Sequence, residues 1–591
     1  MLAFAKTRFG LLIFFGFLQA ALYFGVLMLT RRDGPDEHSL LSMGLFMAAF
    51  ALYLMSLALV WQEKGSSGDT NILEPHACRQ ALVIAGFALA FRLLLLWSPP
   101  IQENDFYRYL WDGRVVSEGI NPYLFTPSQI EDYGQKADAP LILQRLSALR
   151  RSSKSLDTIF SQVDHREIPT IYPPISQAVF AVAAMLTPVK ASLGIHIIMM
   201  KAILLLFDLA TIWLVWQILR AVRPPPGRLL AYAWCPLVLK EFANSAHLDS
   251  VAVCLVTGAI WLMIRLPGRA GDRVGHNNRL RIISWTGLVV LFWALATLAK
   301  LYPVVLLPVF ARWWWNRIRW RFVYPIAGYG FILAGVYGAV GFVHYQQASQ
   351  IVAAQIMKSA NSSASAQLHI LQPNSPLSAL GVFVSRWEMN DFLFTIVFEN
   401  LRPTAAEAGT HPSQAWFVFT SQRWRGNFEN AASAFFARIG LDLENAYGSF
   451  LCTQIFMGLV LVGICLWCAL RSWPGDGRVP LLQSTFLCLA WLWFLSSTQN
   501  PWYWIWSLPF VAFVRPTWLL VSGFAFTYYL QSWFTENLPG GNVLGTSYTG
   551  EEFFAYVVVW LEHLPVLLAL AALAAWNHFK TKALRQPAPR S

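Results

Sequence analysis

The sequence predicts an all-α integral membrane protein that crosses the bilayer many times. Three observations predict it. Only 13% of the 591 residues are charged while 56% are hydrophobic, about half the charge of a soluble domain of average composition, roughly 25%. Apolar runs of about 18–22 residues recur along the whole chain, each long enough to cross a hydrocarbon core. The basic residues cluster in short loops between those runs: Arg220–Arg228, Arg265–Arg281, Arg312–Arg321, Arg471–Arg478 and the tail after Lys580. Such loops are expected on the cytoplasmic side. The net charge of +12 is therefore read as topology, with membrane lipids as partners and no nucleic acid.

The first run, Phe9 to Thr30, follows Lys6 and Arg8. No Ala-x-Ala-type cleavage site follows it, so it reads as a retained helix rather than a signal peptide. Further runs lie at 40–61, 80–98, 171–188, 194–219, 229–243, 247–264, 282–300, 302–315, 322–342, 451–470, 480–498, 502–514, 517–534 and 553–576. Segments 171–188, 229–243 and 302–315 are short and carry proline. They are expected to be re-entrant or broken, a form tolerated only where protein or a cavity covers the backbone. About 12–14 full spans result. If 171–188 and 194–219 both crossed, the Arg223–Arg228 loop would fall outside, against the charge bias, so one of them is expected not to cross.

The chain divides into two N-terminal spans with a cytoplasmic loop (1–79), a membrane core with a first outer loop at 99–170 (80–342), a second outer loop (343–450), and C-terminal spans with a basic tail (451–591). Residues 106–117 carry apolar and aromatic side chains at helical spacing, and pieces like this are expected to lie flat in the interface. Of the seven cysteines, Cys465 and Cys468 form a C-x-x-C without a second ligand pair, so packing is the expected role. Asn361-Ser362-Ser363 fits a glycosylation sequon.

The chemistry-bearing residues gather beside the apolar runs. Glu103 and Asp105 follow the Pro99-Pro100 stop at the membrane surface. Arg108, Asp112 and Arg114 follow on the helix-like piece, with Arg108 and Asp112 an i,i+4 pair. A carboxylate there suits general-base activation of a hydroxyl, and arginine suits a phosphate. His247 and Asp249 lie in an embedded turn, where polar groups are expensive unless paired or wet; a helix cap at Asp249 and a site contact are both open. Lys300 interrupts an apolar stretch ahead of Tyr302-Pro303. Trp387 and Asn390 lie in the second outer loop, Asn500, Trp502 and Tyr503 at an outer helix end, and Tyr123 and Tyr172 flank the first loop. Glu562-His563 is a further embedded polar pair. No P-loop, G-x-G-x-x-G or H-E-x-x-H is present.

These motifs, in this order over about residues 80–510, resemble the GT-C superfamily of polyprenyl-phosphate-sugar-dependent glycosyltransferases, in particular its bacterial mannosyltransferase-like branch. The matching stretches are Glu103-Asn104-Asp105 with Tyr107–Arg114, Gly119–Tyr123, Tyr172-Pro173-Pro174, Ala246–Asp249, Lys300–Pro303, Trp387–Asn390 and Asn500–Tyr503. The resemblance implies a GT-C-like helical bundle in the bacterial inner membrane, with its active site facing the periplasm. It implies inverting transfer of a hexose, mannose favoured, from a polyprenyl-phosphate donor to a glycan, lipid or protein acceptor. The family's first-loop acid falls on Asp105, with Glu103 as its neighbour; Lys300 and nearby arginines fall where the donor phosphate is met. No cofactor is assigned, and a divalent cation is compatible with the acids and the His-x-Asp. A lipid-linked-glycan flippase or transporter, which often shows internal repeats, a glycan ligase or polymerase, and a structural scaffold are the alternatives.

Overall fold

The computed structural model describes residues 7–32, 34, 37–61, 75–266, 276–360, 373–374, 381, 387–403, 415–440 and 448–583. The Asn361 sequon, Arg386, the middle of the 265–281 basic loop and the end of the basic tail lie outside them. The described chain is helical, with a single isolated bridge between Met389 and Thr498.

Nine helices among the described residues are long and apolar enough to cross a membrane. One of the nine, Tyr302–Ile356, has 55 residues and joins the expected runs 302–315 and 322–342; elsewhere proline breaks the apolar runs into shorter pieces. Residues 229–244 run as short pieces, with Pro226 and Pro236 at helix starts and a π-helical turn over Leu239–Asn244. Leu508–Phe513 and Pro516–Leu519 are 3-10 turns that also carry proline. A proline ring lacks the donor that a continuous helix needs. These broken stretches survive because protein covers them: Tyr232, Trp234, Leu237, Leu508 and Phe510 are fully buried in the main core. Helix Pro174–Met185 has only 12 residues, whereas Leu193–Val222 has 30. The short one is therefore the segment without spanning length, as the charge bias requires.

The N-terminal hairpin is part of the core rather than an appendage. Gly16 lies against the Phe87 ring and Gly523 against Phe50, both too close to admit a side chain. Tyr53 donates to the Ala231 carbonyl at 2.8 Å, and Arg31 donates to the Trp97 carbonyl at 3.2 Å.

Buried polar contacts of Arg92, Tyr232, Lys201 and Asn244 fix where the first loop leaves the bundle. Arg92 pairs with Asp208 at 2.6 Å and donates to the Ala233 carbonyl at 2.7 Å. Tyr232 donates to the same Asp208 at 2.8 Å. Lys201 donates to the Leu95 and Ser98 carbonyls at 2.7 and 2.6 Å, capping the C-terminal end of helix Pro75–Leu96 with a cation. Asn244, at the end of the π-helical turn, then clasps the loop: it accepts from the Ile101 amide at 3.0 Å and donates to the Pro99 carbonyl at 2.8 Å.

The first loop holds helices Asp105–Ser117, Pro127–Tyr133, Leu141–Arg150 and Lys154–Ser161. Helix Asp105–Ser117 packs on Pro174–Met185 through Gly113, where a Cβ would stand 2.3 Å from the Phe180 carbonyl oxygen. The basic loops meet at the other end of the bundle. Arg478 donates to the Ala221 carbonyl at 3.4 Å, and Arg228 donates to the Ala512 carbonyl at 2.9 Å with its guanidinium over Trp61.

Candidate active site

Asp105 is the first residue of its helix, where the amide dipoles favour an anion. Tyr109, one turn on, donates to its Oδ2 at 3.3 Å. Glu103 turns toward His247: its Oε2 lies 3.2 Å from Nε2, and Glu241 Oε2 lies 3.0 Å from the same nitrogen. Three features set the histidine. The π-helical turn ends just before it, a device common at functional sites. Ala246 has φ +62°, a left-handed conformation that a non-glycine residue adopts at a cost. The imidazole stacks on Trp502 at 4.1 Å.

Asp249 opens helix Asp249–Arg265 but caps nothing with its side chain. Its carboxylate instead receives Lys300 Nζ at 3.0 Å and Trp506 Nε1 at 2.6 Å. Lys300 also sits over the Tyr503 ring at 4.7 Å, and Tyr302 and Tyr503 stack on either side of Trp506 at 4.1 and 4.5 Å. The lysine side chain keeps 19% exposure while its aspartate has none.

The environment drives the two loop acids apart. Burial, reinforced by the neighbouring Glu103 charge, pushes the Asp105 carboxyl above its ordinary value against His247, Lys300 and Tyr109. Burial also pushes Glu103 up, but the His247 and Lys240 charges outweigh it and hold Glu103 below the usual range. Burial disfavours the His247 imidazolium, yet Glu103 and Glu241 raise it to about 10. A fixed anion beside an acid of raised affinity for protons is the pairing that separates acid–base roles. Glu103, Glu241 and His247 also each offer a ligand atom within 4.8 Å of the others.

The structure thus brings Glu103, Asp105, His247, Asp249, Lys300, Tyr302, Trp502 and Tyr503 to one end of the bundle. Tyr172 joins them through its edge contact with Tyr109 at 5.0 Å. The remaining predicted residues make contacts around this cluster. Arg108 forms no ion pair with Asp112 but donates to the Asp164 and His165 carbonyls, both at 2.9 Å. Arg114 donates to the Thr187 carbonyl at 2.7 Å. Asp112 accepts from Gln177 at 3.1 Å, and burial raises its affinity for a proton. Tyr123 donates to the Tyr172 carbonyl at 2.6 Å. Trp387 meets the His165 ring at 4.7 Å, joining the two loops. Asn390 donates to the Gln499 carbonyl at 3.3 Å and Glu562 at 3.4 Å. Asn500 gives its carbonyl to Trp493 at 3.0 Å. Sequence reasoning did not single out Lys240, Glu241 or Trp506. The adjacent Lys240-Glu241 pair inside an apolar run was the available signal for the first two.

Acids, a histidine and a lysine thus meet between aromatic walls at one end of the helical bundle, which makes this cluster the candidate site. Residues 14–317, just over half of the chain, match the model of the alpha-(1->6)-mannopyranosyltransferase family, N-terminal domain. The chain belongs to this family, in keeping with the resemblance read from its motifs, and its described helices include nine long and apolar enough to cross a membrane. The match begins inside the first helix, so the N-terminal hairpin belongs to the family domain. A search of curated proteins gave no match. Among solved structures, the apo oligosaccharyltransferase of Archaeoglobus fulgidus is similar at 12% identity and a TM-score of 0.37, over 84% of this chain and 55% of that one. The chain thus spans about half the length of that protein.

Proposed function

We propose that the protein transfers a hexose, mannose by its family, from a polyprenyl-phosphate donor to a glycan, lipid or protein acceptor at the outer face of a bacterial inner membrane, with inversion. The observation that carries this reading is the convergence of Asp105, the Glu103–His247 pair and Lys300. In the step proposed, Asp105 removes the proton of the acceptor hydroxyl. The hydroxyl oxygen forms a bond to the anomeric carbon as the bond from that carbon to the lipid phosphate oxygen breaks on the opposite side. The phosphate leaves with the electron pair, and Lys300 balances its charge. A general base in this position contributes typically about 10²–10⁴-fold. Trp502 and Tyr503 present flat faces to the apolar side of a sugar ring.

The orientation rests on the basic loops. Arg228 and Arg478 gather at the end of the bundle opposite the acids, and the positive-inside rule puts that end in the cytoplasm.

The test is transfer by the purified protein from polyprenyl-phosphate mannose to candidate acceptors, with Asp105→Asn alongside. Sugar transfer that collapses in the variant supports the reading. Transfer at the wild-type rate removes Asp105 as base. Movement of the lipid across a bilayer without sugar transfer overturns the enzyme reading in favour of a flippase.

A further inference from the structure

The N-terminal hairpin leaves a cleft beside the candidate site. Helix Ser39–Trp61 ends with Trp61 under Arg228, at the end of the bundle that holds the basic loops. Its first residues therefore lie at the opposite end, with the acids. Thr30, near the end of the preceding helix, meets Ser98 at 3.0 Å, where the first loop begins. Between the start of Ser39–Trp61 and helix Gln531–Asn537 lies a cavity of about 430 Å³, within the range of roughly 300–1,000 Å³ typical of ligand pockets. Leu40 and Leu41 at its foot are exposed, as the lipid-facing start of a span is.

Gln102 joins this cleft to the acids. Its amide nitrogen donates to the Tyr529 carbonyl at 3.2 Å and to Ser532 Oγ, on the cleft wall, at 3.3 Å. Its φ of +49° is a left-handed conformation that costs a glutamine free energy and that surrounding contacts must hold. Glu103 follows it directly and Asp105 lies three residues on, a step that even an extended chain covers in at most about 11 Å. A chain-like ligand lying in the cleft can thus bring its end to the Asp105 carboxylate.

The lining selects the ligand. Glu37, His38, Ser532, Glu536 and Asn537 offer hydrogen-bonding groups, and Trp533 offers a half-buried indole. Most ligand pockets are predominantly apolar; this one suits a ligand rich in hydroxyls. Carboxylates accept from hydroxyls in charge-assisted bonds. Ser532, which accepts from Gln102, keeps its own proton to donate. An indole face covers the apolar C–H side of a sugar ring. Among the described residues no lysine or arginine lines the cavity, and two carboxylates without a cation reject an anionic headgroup.

We propose that this cleft binds the acceptor, and that the acceptor is a neutral oligosaccharide rather than a protein or an anionic lipid. This names the acceptor class within the proposed transferase reading and rests on it. The donor phosphate is assigned to Lys300, held by Asp249 and Tyr503, so donor and acceptor are met by different elements of the bundle. Glu37 and Glu536 are exposed, so a chain longer than the cavity runs on past them.

The experiment uses the full-length protein in detergent and mannotetraose labelled with a fluorophore at its reducing end, without donor. Fluorescence anisotropy is expected to report saturable binding. Trp533→Ala and the double variant Glu37→Gln with Glu536→Gln should each weaken it at least about tenfold. These side chains are exposed or half-buried, and thermal midpoints near wild type check that the variants keep the fold. In transfer assays the same variants should raise the acceptor KM and leave kcat at saturating acceptor within about twofold. No saturable binding by the wild type, or unchanged binding in both variants, overturns the proposal. So does displacement by a lysine-rich peptide at lower concentration than by unlabelled mannotetraose, which makes the acceptor a protein. Binding that the variants weaken, in a protein that transfers no sugar, upholds the cleft as a glycan site and sinks the transferase reading, so the two fail separately.

Discussion

The molecule buries two clusters of acids, and they are built on opposite plans. Around Asp105, Lys240, His247 and Lys300 interleave with four carboxylates in a network of buried ion pairs. Around Asp391, in the second loop, the acids are provided for locally. Thr395 donates to Asp391 at 2.6 Å, Tyr556 donates to Glu399 at 3.1 Å, and Arg402 pairs with Glu399. Burial raises Glu388 to about 7, with the Arg402 charge opposing and Glu399 adding to the rise. Asp391 is raised further, by burial and then by the Glu388 charge. The second cluster meets its acids with hydroxyls, one arginine and raised proton affinity, while the first interleaves its acids with cations.

Substitution in each cluster should separate these plans. The largest expected effect is a loss of transfer of about 10²–10⁴-fold in Asp105→Asn, against a change of less than about threefold in Asp391→Asn, read as initial transfer rates on matched samples. Equal losses would dissolve the distinction. Next, Lys300→Met removes the cation proposed to meet the donor. Charge-assisted hydrogen bonds contribute about 1.5–3 kcal/mol, so donor affinity should fall about tenfold or more in a lipid-binding titration. Smaller still is Trp506→Phe, which removes one hydrogen bond from Asp249 and keeps most of the aromatic stack. A loss of about 1 kcal/mol should lower kcat several-fold and leave the thermal midpoint near wild type.

A separate effect is on stability, and Glu388 in the second cluster contributes to it. Glu388 binds its proton more tightly folded than unfolded. Its contribution to stability is therefore full below the unfolded value of 4.5 and lost as pH rises through about 7. Thermal midpoints should drop over that window in wild type, and Glu388→Gln should flatten the drop. An unchanged slope would remove Glu388 as its source.

Much of the site was legible in the sequence, because charged or polar residues beside apolar runs stand out. Glu103-Asn104-Asp105, His247-Leu248-Asp249, Lys300 and Trp502-Tyr503 converge in space as their shared order suggested. What the sequence hid has physical causes. Arg108 and Arg114 were read as phosphate contacts; the structure shows them donating to the backbone carbonyls of Asp164, His165 and Thr187, which a guanidinium does as readily. Arg92, Lys201 and Asp208 disappear inside apolar runs, since one charge among twenty apolar residues barely alters the average; their partners lie more than one hundred residues away. Glu241 was hidden the same way. Where the chain breaks within an apolar run was hidden because proline interrupts a helix without making the run less apolar, as in 229–244. Asp249 read equally as a cap, and the Lys300 and Trp506 contacts decide against it.

The central claim is that Asp105 takes the proton and does not serve to hold the donor. Single-turnover transfer in Asp105→Asn, preloaded with polyprenyl-phosphate mannose and chased with acceptor, tests it most directly. Donor occupancy equal to wild type with transfer slowed at least about a hundredfold is the predicted result. Wild-type transfer at equal occupancy, or loss of occupancy that accounts for the whole defect, would contradict it.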